Sequence, residues 1–369
     1  MKTPSSTVRF GMVGSGLMAG VFGNAFKDDT RNTRLVGVTG GRRAPTFAAQ
    51  YGVECIATFE EMLARPDIDA VVLATPHSAH FSGAIAAAQA GKHVFLEKPM
   101  ALNSAECRQM VAAAKAAGVK MTVGHVTRRM EAPRIAREMI DHGEIGDVRM
   151  VQTWRGMTGG LGIPEEESEE KLSVTGRAPG FPPGSWAKDP KEGGHFLNWG
   201  SHGCDVTRWY AGADAVLAFG QFTKFHSRET DPQASGMVQY TFANGVLGHV
   251  WMTYELPHGA LGTRARYLVV GSKAIVDVAA YGQVKRSRAD GGWDVVYQSD
   301  DFKGPDAGWG YPSPYMRQAF ARQIQDLTDA IIDGKPMTVS AEDGLKAVEM
   351  VEAANLSAEK GEAVRIPLR

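Results

Sequence analysis

The sequence predicts two domains of different class: an α/β domain with a parallel sheet over residues 1–125, then an α+β domain over residues 126–369. Three observations predict this. Short apolar strands alternate with helical segments up to about residue 125, the rhythm of a parallel sheet covered on both faces. A glycine-containing turn joins the first strand to the first helix. Beyond that point the alternation gives way to successive strand-like runs with hairpin signals, the mark of antiparallel pairing. The length of 369 residues also makes two domains the default expectation.

The first strand is Val8 to Val13, which runs directly into Gly14-Ser15-Gly16-Leu17-Met18-Ala19. Further strands are expected at Leu35–Val38, Ala70–Ala74, His93–Leu96 and Met121–Val123. Between the last two, Asn103 or Ser104 caps a helix, with Glu106 placed to close a capping box. Cys107, Met110, Val111 and Ala114 share one face of that helix and Gly118 ends it. A further helix over Ala132–Asp141 stops at Gly143. The second domain then shows strand-like runs at Val148–Trp154, Val216–Phe222, Met237–Phe242, Val246–Tyr254, Arg266–Val270, Ala274–Val278 and Val284–Arg286. Ala243-Asn244-Gly245 and Gly271-Ser272 supply turns between them, giving an antiparallel meander with one helical face. Two late helices carry Phe320, Ile324, Leu327 and Ile331, ending at Gly334, and then span roughly Ala341–Glu359. The Gly-, Pro- and Glu-rich stretch Gly156–Ser185 reads as a long surface loop, either a functional lid or an insertion.

Hydrophobic residues make up 43% and charged residues 22%, enough for two packed cores. Forty basic against 41 acidic side chains leave a net charge of −1, so no global field favours nucleic acid or an anionic membrane. No apolar run is long enough to span a bilayer and no apolar signal core follows Lys2. Cys55, Cys107 and Cys204 are odd in number and far apart, which implies neither a disulfide framework nor a metal-type cysteine site and suits a reducing cytoplasm.

The turn at Gly14–Ala19 has the chemistry of a phosphate cradle. Gly14 permits the tight turn, Gly16 lets the backbone approach a pyrophosphate, and Ala19 packs helix against strand. Unpaired N–H groups of Leu17, Met18 and the rest of the first helical turn then face the phosphates. This is a Rossmann dinucleotide fingerprint in its expected strand–turn–helix setting. At the tip of the second strand an acid would bind the ribose hydroxyls of NAD. The residues there are Thr39-Gly40-Gly41-Arg42-Arg43, without an acid. Arg42 and Arg43 suit a 2′-phosphate and favour NADP, while NAD stays open if both are simply solvated.

Glu97-Lys98-Pro99, the glycine turn, and Gly193-Gly194-His195-Phe196-Leu197-Asn198-Trp199-Gly200-Ser201-His202-Gly203-Cys204-Asp205 together resemble the Gfo/Idh/MocA oxidoreductases, of the glucose–fructose oxidoreductase and inositol dehydrogenase type. Thr75-Pro76-His77 with His80, Ala90-Gly91-Lys92-His93 and Gly143-Glu144-Ile145-Gly146 extend the resemblance over nearly the whole chain. The resemblance implies a Rossmann domain plus a C-terminal domain with a large, mostly antiparallel open sheet, a substrate cleft between them, and a homodimer or homotetramer that uses the open sheet face. It implies sugars, glycosides or cyclitols as substrates. It also implies that Thr75, Pro76, His77, His80, Glu97 and Lys98 border the cofactor, and that Lys98 and His202 are catalytic. This chain departs from the family in two places: Asn198 replaces the aspartate common four residues before the histidine, and His195 replaces a third glycine.

The chemistry fits those residues. Oxidising a secondary alcohol removes a hydroxyl proton as hydride leaves the same carbon, so a base must reach that oxygen. Imidazole titrates near neutrality, which suits His202. Lys98 stabilises a developing alkoxide or polarises a ketone in reverse. Asn198 can orient His202 or bind substrate but adds no charge, so His202 should hold its proton less firmly than beside an aspartate. Arg155 and Trp186 are candidates for the cleft border, roles that ordinary packing would equally account for. His195, Asn198, His202 and Asp205 also suggest a metal site, but hydride chemistry with a lysine present needs none, and no metal is expected. Two other classes compete with an exchangeable-cofactor dehydrogenase. One is a lyase or glycosidase that oxidises its sugar transiently with tightly held nicotinamide. The other is a non-catalytic dinucleotide-binding regulator, which would need neither Lys98 nor His202.

Overall fold

In the computed structural model the described residues are 7–156, 190–224, 233–253, 255–256, 264–302, 304 and 313–368. They form two compact units. The first comprises Met1–Val126 with Arg317–Val348, and the second comprises Thr127–Met316 with Glu349–Arg369. Trp186 and the expected loop from residue 157 to Ser185 lie outside the described residues.

The first unit is built on a six-stranded parallel sheet. Its strands are β1 (Val8–Val13), β2 (Thr33–Thr39), β3 (Glu54–Cys55), β4 (Ala70–Leu73), β5 (His93–Leu96) and β6 (Met121–Val123), in the order β3-β2-β1-β4-β5-β6. The strand order reverses between β1 and β4, and in such sheets ligands bind beyond the carboxyl ends of the strands at that point. Helices α1 (Leu17–Asp28), α2 (Ala44–Tyr51), α3 (Phe59–Ala64), α4 (His80–Gln89) and α5 (Ser104–Ala117) connect the strands. The two-residue strand β3, flanked by short helices, has too brief an apolar signal to be read from sequence.

Asn103 caps α5 by accepting the Glu106 N–H at 2.9 Å, worth about 1 kcal/mol. The return bond from the Glu106 carboxylate goes to the Leu102 N–H at 3.2 Å, one residue earlier than a capping box requires. Phe22 on α1 is fully buried between Phe95, 4.9 Å away, and Phe320, 5.7 Å away, both edge-on. Each such ring contributes about 1.5–3 kcal/mol through burial. Phe320 lies on α8 (Pro314–Ile332), which the sequence boundary at residue 126 assigned to the second domain. From Arg317 onward α8 packs with the first unit, because its apolar face finds its partner in Phe22. The Thr122 hydroxyl donates to the Val339 carbonyl at 2.6 Å and adds a polar tie to the same segment.

The second unit carries a nine-stranded sheet. Its strands are β7 (Val148–Gly156), β8 (Ala215–Thr223), β9 (Ser235–Phe242), β10 (Leu247–Thr253), β11 (Arg264–Gly271), β12 (Ile275–Ala279), β13 (Gln283–Ser287), β14 (Trp293–Gln298) and β15 (Val364–Arg365). The order is β14-β13-β12-β11-β7-β10-β9-β8-β15. Both expected hairpin turns form, with Gly245 N–H bonded to Phe242 and Gly271 N–H to Ala274. The sheet is not a simple meander, however. β7 and β10 are neighbours and parallel, and every other pairing in the sheet is antiparallel. The edge strands β14 and β15 extend the sheet beyond the sequence reading; β14 is largely exposed and shows little apolar alternation.

Helices α6 (Glu131–Asp141) and α7 (Ser201–Ala211) belong to this unit, and α7 packs on β7 and β10. That approach requires a glycine: a Cβ at Gly203 would lie 2.8 Å from Val250 and 3.4 Å from Thr153. The last helix, α9 (Ala341–Lys360), passes the division between Val348 and Glu349. Among the described residues no helix is long and apolar enough to cross a membrane.

Candidate active site

In the first unit the motif residues gather at the carboxyl ends of the strands. Gly14 follows β1 with φ +104°, and a Cβ there would lie 2.4 Å from the Ala74 carbonyl oxygen, so only glycine fits. Its N–H donates to the Thr39 carbonyl at 2.8 Å, which fixes the first turn against the tip of β2. Gly16 is the N-cap of α1 and makes no side-chain cap bond. A Cβ at Gly16 would meet no heavy atom within 4 Å. The start of α1 therefore has positive dipole, no capping acceptor at its N-cap, and room in front of it, which fits a pyrophosphate. Leu17 is exposed, Met18 half-buried and Ala19 fully buried against the sheet. Thr39, the last residue of β2, is buried, whereas Arg42 and Arg43 beyond it are exposed.

Thr75, Pro76 and His77 follow β4, and the buried Thr75 hydroxyl oxygen has no hydrogen-bond partner among the described residues. His80, expected beside the cofactor, is fully buried. Its Nδ1 lies 2.8 Å from the Pro99 carbonyl and its Nε2 lies 3.2 Å from the Thr75 carbonyl. Both ring nitrogens thus meet backbone carbonyls, and His80 ties the loop after β4 to the loop after β5. The spacing of the motif did not reveal this, because engagement by distant carbonyls has no sequence signature.

The loop after β5 holds Glu97 and Lys98. Glu97 is buried, and its Oε2 accepts the Lys98 backbone N–H at 3.2 Å. Burial pushes its carboxyl up to about 7, opposed by the neighbouring Lys98 charge. Gly124 leaves the space Glu97 needs, since a Cβ there would sit 2.9 Å from Oε1. Lys98 is half-buried beside it. The other motif lysine, Lys92, is buried and donates to the carbonyls of Arg65 and Ile68 at 2.7 and 2.8 Å, a structural assignment.

In the second unit the candidate residues lie where a π-helical turn, Phe196–Gly200, runs into α7. Such turns recur at functional sites because they rotate side chains out of the regular helical register. Asn198 and His202 are both buried and lie one helical turn apart. Trp199, which sequence reasoning left without a role, lies between two candidates. Its ring centroid is 6.3 Å from that of His202 and 5.0 Å from the Arg155 guanidinium carbon. Arg155 is the penultimate residue of β7 and is buried, with Nε and Nη1 lacking hydrogen-bond partners among the described residues. Tyr267, next strand over on β11, is also buried; burial raises its hydroxyl pKa and the Arg155 charge opposes the rise.

Asp205, one of the residues that suggested a metal site, accepts two hydrogen bonds from Arg128 at 2.6 and 3.0 Å. Among the described residues no group of three or more His, Cys, Asp or Glu side chains could hold a metal ion. A groove of about 830 Å³ on the second unit, lined by Glu352, Leu356, Arg365 and Pro367 among others, contains none of the motif residues.

Comparison with known proteins agrees with the two-domain fold. Residues 8–125 match the oxidoreductase family's NAD-binding Rossmann fold, and residues 137–366 match its C-terminal alpha/beta domain. An inositol 2-dehydrogenase of Rhizobium meliloti (strain 1021) is 28% identical over 355 residues, covering 94% of this chain and 96% of that one. An oxidoreductase domain protein from Kribbella flavida superposes with a TM-score of 0.81 at 24% identity, over 99% of this chain and 100% of that one. A levoglucosan dehydrogenase in complex with NADH and levoglucosan gives 0.79 at 22% identity, over 98% and 100%. The two structural likenesses establish the fold. With both family domains matched in order along one chain, this protein belongs to the Gfo/Idh/MocA family of oxidoreductases.

Proposed function

We propose that the protein is an NAD(P)-dependent dehydrogenase or reductase acting on a secondary alcohol or ketone of a sugar, glycoside or cyclitol. The observation that carries this reading is Lys98 at the carboxyl end of β5, in a sheet whose Gly14–Gly16 turn leaves an uncapped helix start facing open space. The similarity to an inositol 2-dehydrogenase along almost the whole chain supports the substrate class. When bound, a nicotinamide ring accepts or returns the hydride. Lys98 holds positive charge near the reacting oxygen, and His202 takes its proton. Asn198 orients the His202 ring without adding charge.

NADP is the proposed cofactor, because the tip of β2 offers two exposed arginines and no acid. The open sheet face is the proposed contact between copies in a homodimer or homotetramer. Met237, Trp251 and Trp154 stand in one register row across β9, β10 and β7, with the two indoles stacked at 5.3 Å. Met237, Met150 and Leu247 on that sheet are each about half exposed, and Met150 and Leu247 are register partners.

The test is nicotinamide absorbance on a panel of sugars, glycosides and cyclitols with each cofactor. Turnover is expected with at least one, falling by about a hundredfold or more in Lys98→Met and in His202→Ala. Arg42→Ala is expected to lower kcat/KM for NADP and leave NAD unchanged. Turnover that survives both Lys98→Met and His202→Ala would sink the reading.

A further inference from the structure

Arg155 points to the chemistry of the substrate. A guanidinium stays charged at any accessible pH, so it cannot shed the cost of burial by losing its proton. Here the side chain is only 7% exposed, and two of its three nitrogens are buried with no acceptor among the described residues. The face of Trp199 at 5.0 Å offsets part of that cost but supplies no negative charge. Among the described residues four acids of the same unit are buried, Glu192, Asp205, Asp277 and Glu349. Asp205 and Asp277 are engaged by Arg128 and Arg266, and Glu349 accepts the Leu368 N–H at 3.3 Å. The position is also specific, because the indole that carries Arg155 on one side has His202 within 6.3 Å. A molecule presenting its hydroxyl to His202 therefore lies near a cation two of whose nitrogens have no acceptor among the described residues. Neutral sugar hydroxyls would solvate that cation but not neutralise it, whereas a carboxylate would do both.

We propose that Arg155 anchors an anionic group of the substrate, so that the sugar or cyclitol taken at this site is a polyhydroxylated carboxylate such as a sugar acid. The inference rests on the reading of His202 as part of a carbohydrate site and narrows it to one substrate class. Trp199 is the platform in this arrangement: it holds the guanidinium plane and shields the pair from water, which strengthens a charged hydrogen bond.

The test is calorimetric titration of the full chain with glucuronate, galacturonate and gluconate against glucose, galactose and glucitol. At least one acid is expected to bind about tenfold or more tightly than its neutral partner, a difference of about 1.4 kcal/mol. Arg155→Gln should abolish that preference and Arg155→Lys should retain part of it, since the ammonium keeps the charge but not the planar donors. Thermal melting should show Arg155→Gln no less stable than the parent, which a packing role for Arg155 would not allow. Equal binding of acids and neutral sugars, no binding of any acid, or a preference that persists in Arg155→Gln overturns the proposal. Hydride transfer to the same compounds separates the two readings. Turnover of a neutral sugar, with every acid bound and turned over no better than its neutral partner, removes the anion anchor alone. An acid preference that depends on Arg155, without nicotinamide reduction by any compound, removes the dehydrogenase reading alone.

Discussion

Two buried arginines of the second unit, Arg128 and Arg155, answer the same physical problem in opposite ways. Arg128 is 4% exposed and meets Asp205, 1% exposed, in a two-bond ion pair that joins the 3₁₀ segment Val126–Arg129 to α7. Arg155, 7% exposed, has an aromatic face and no ion-pair acid among the described residues. A paired buried charge adds little net stability over an apolar substitute, but losing its partner is costly. An unpaired one costs stability already, and such a group persists where something other than folding requires it. The first arginine is therefore a scaffold residue, and the proposal above assigns the second to the site. Glu97 in the first unit stands between the two, a buried carboxyl that burial pushes toward its neutral form and the neighbouring Lys98 charge holds back.

The sharpest way to break this contrast is Asp205→Ala, which strands Arg128. Chemical denaturation should show a loss of about 3–5 kcal/mol, and a loss below about 1 kcal/mol would mean Arg128 is no more dependent on its partner than Arg155. Glu97 gives the next effect. Its carboxyl is raised from an ordinary value of 4.5 to about 7, so the native state holds its proton more firmly than the unfolded chain does. Folding stability from this group is then fully present below about pH 4.5 and falls as pH rises through about 7. Glu97→Gln should flatten that part of the stability–pH curve, and an unchanged curve would show that Glu97 ionises normally.

A smaller effect is expected from Asn198→Asp. A carboxylate one turn before His202 favours the imidazolium, so the acid limb of the kcat/KM profile should move to higher pH by about one unit. Profiles that coincide would mean Asn198 does not face His202. The smallest effect concerns Arg155 itself: Arg155→Gln should melt at the parent temperature or be more stable by up to about 1 kcal/mol. A large loss of stability there would place Arg155 with Arg128 in the scaffold.

Much of this was legible in the chain. The alternation of strand and helix, the Gly14 turn, the Asn103 cap and the hairpins at Gly245 and Gly271 are local events, set by residues a few positions apart, and local chemistry determined them. The places of Lys98 after β5 and of Asn198 and His202 one turn apart were legible for the same reason, since a strand end or a helical turn sets them directly. Tertiary structure decided which charged and polar groups are already engaged. His80 meets two backbone carbonyls, one of them Pro99, 19 residues away; Asp205 turns to Arg128, 77 residues away; and α8 packs with the first unit through Phe320. It also made β7 and β10 parallel neighbours and brought Arg155 and His202 to one indole. Spacing along a chain specifies which residues share a helix face or a strand tip, but the partner that neutralises a buried charge is chosen by packing between distant segments, and no local pattern records that choice.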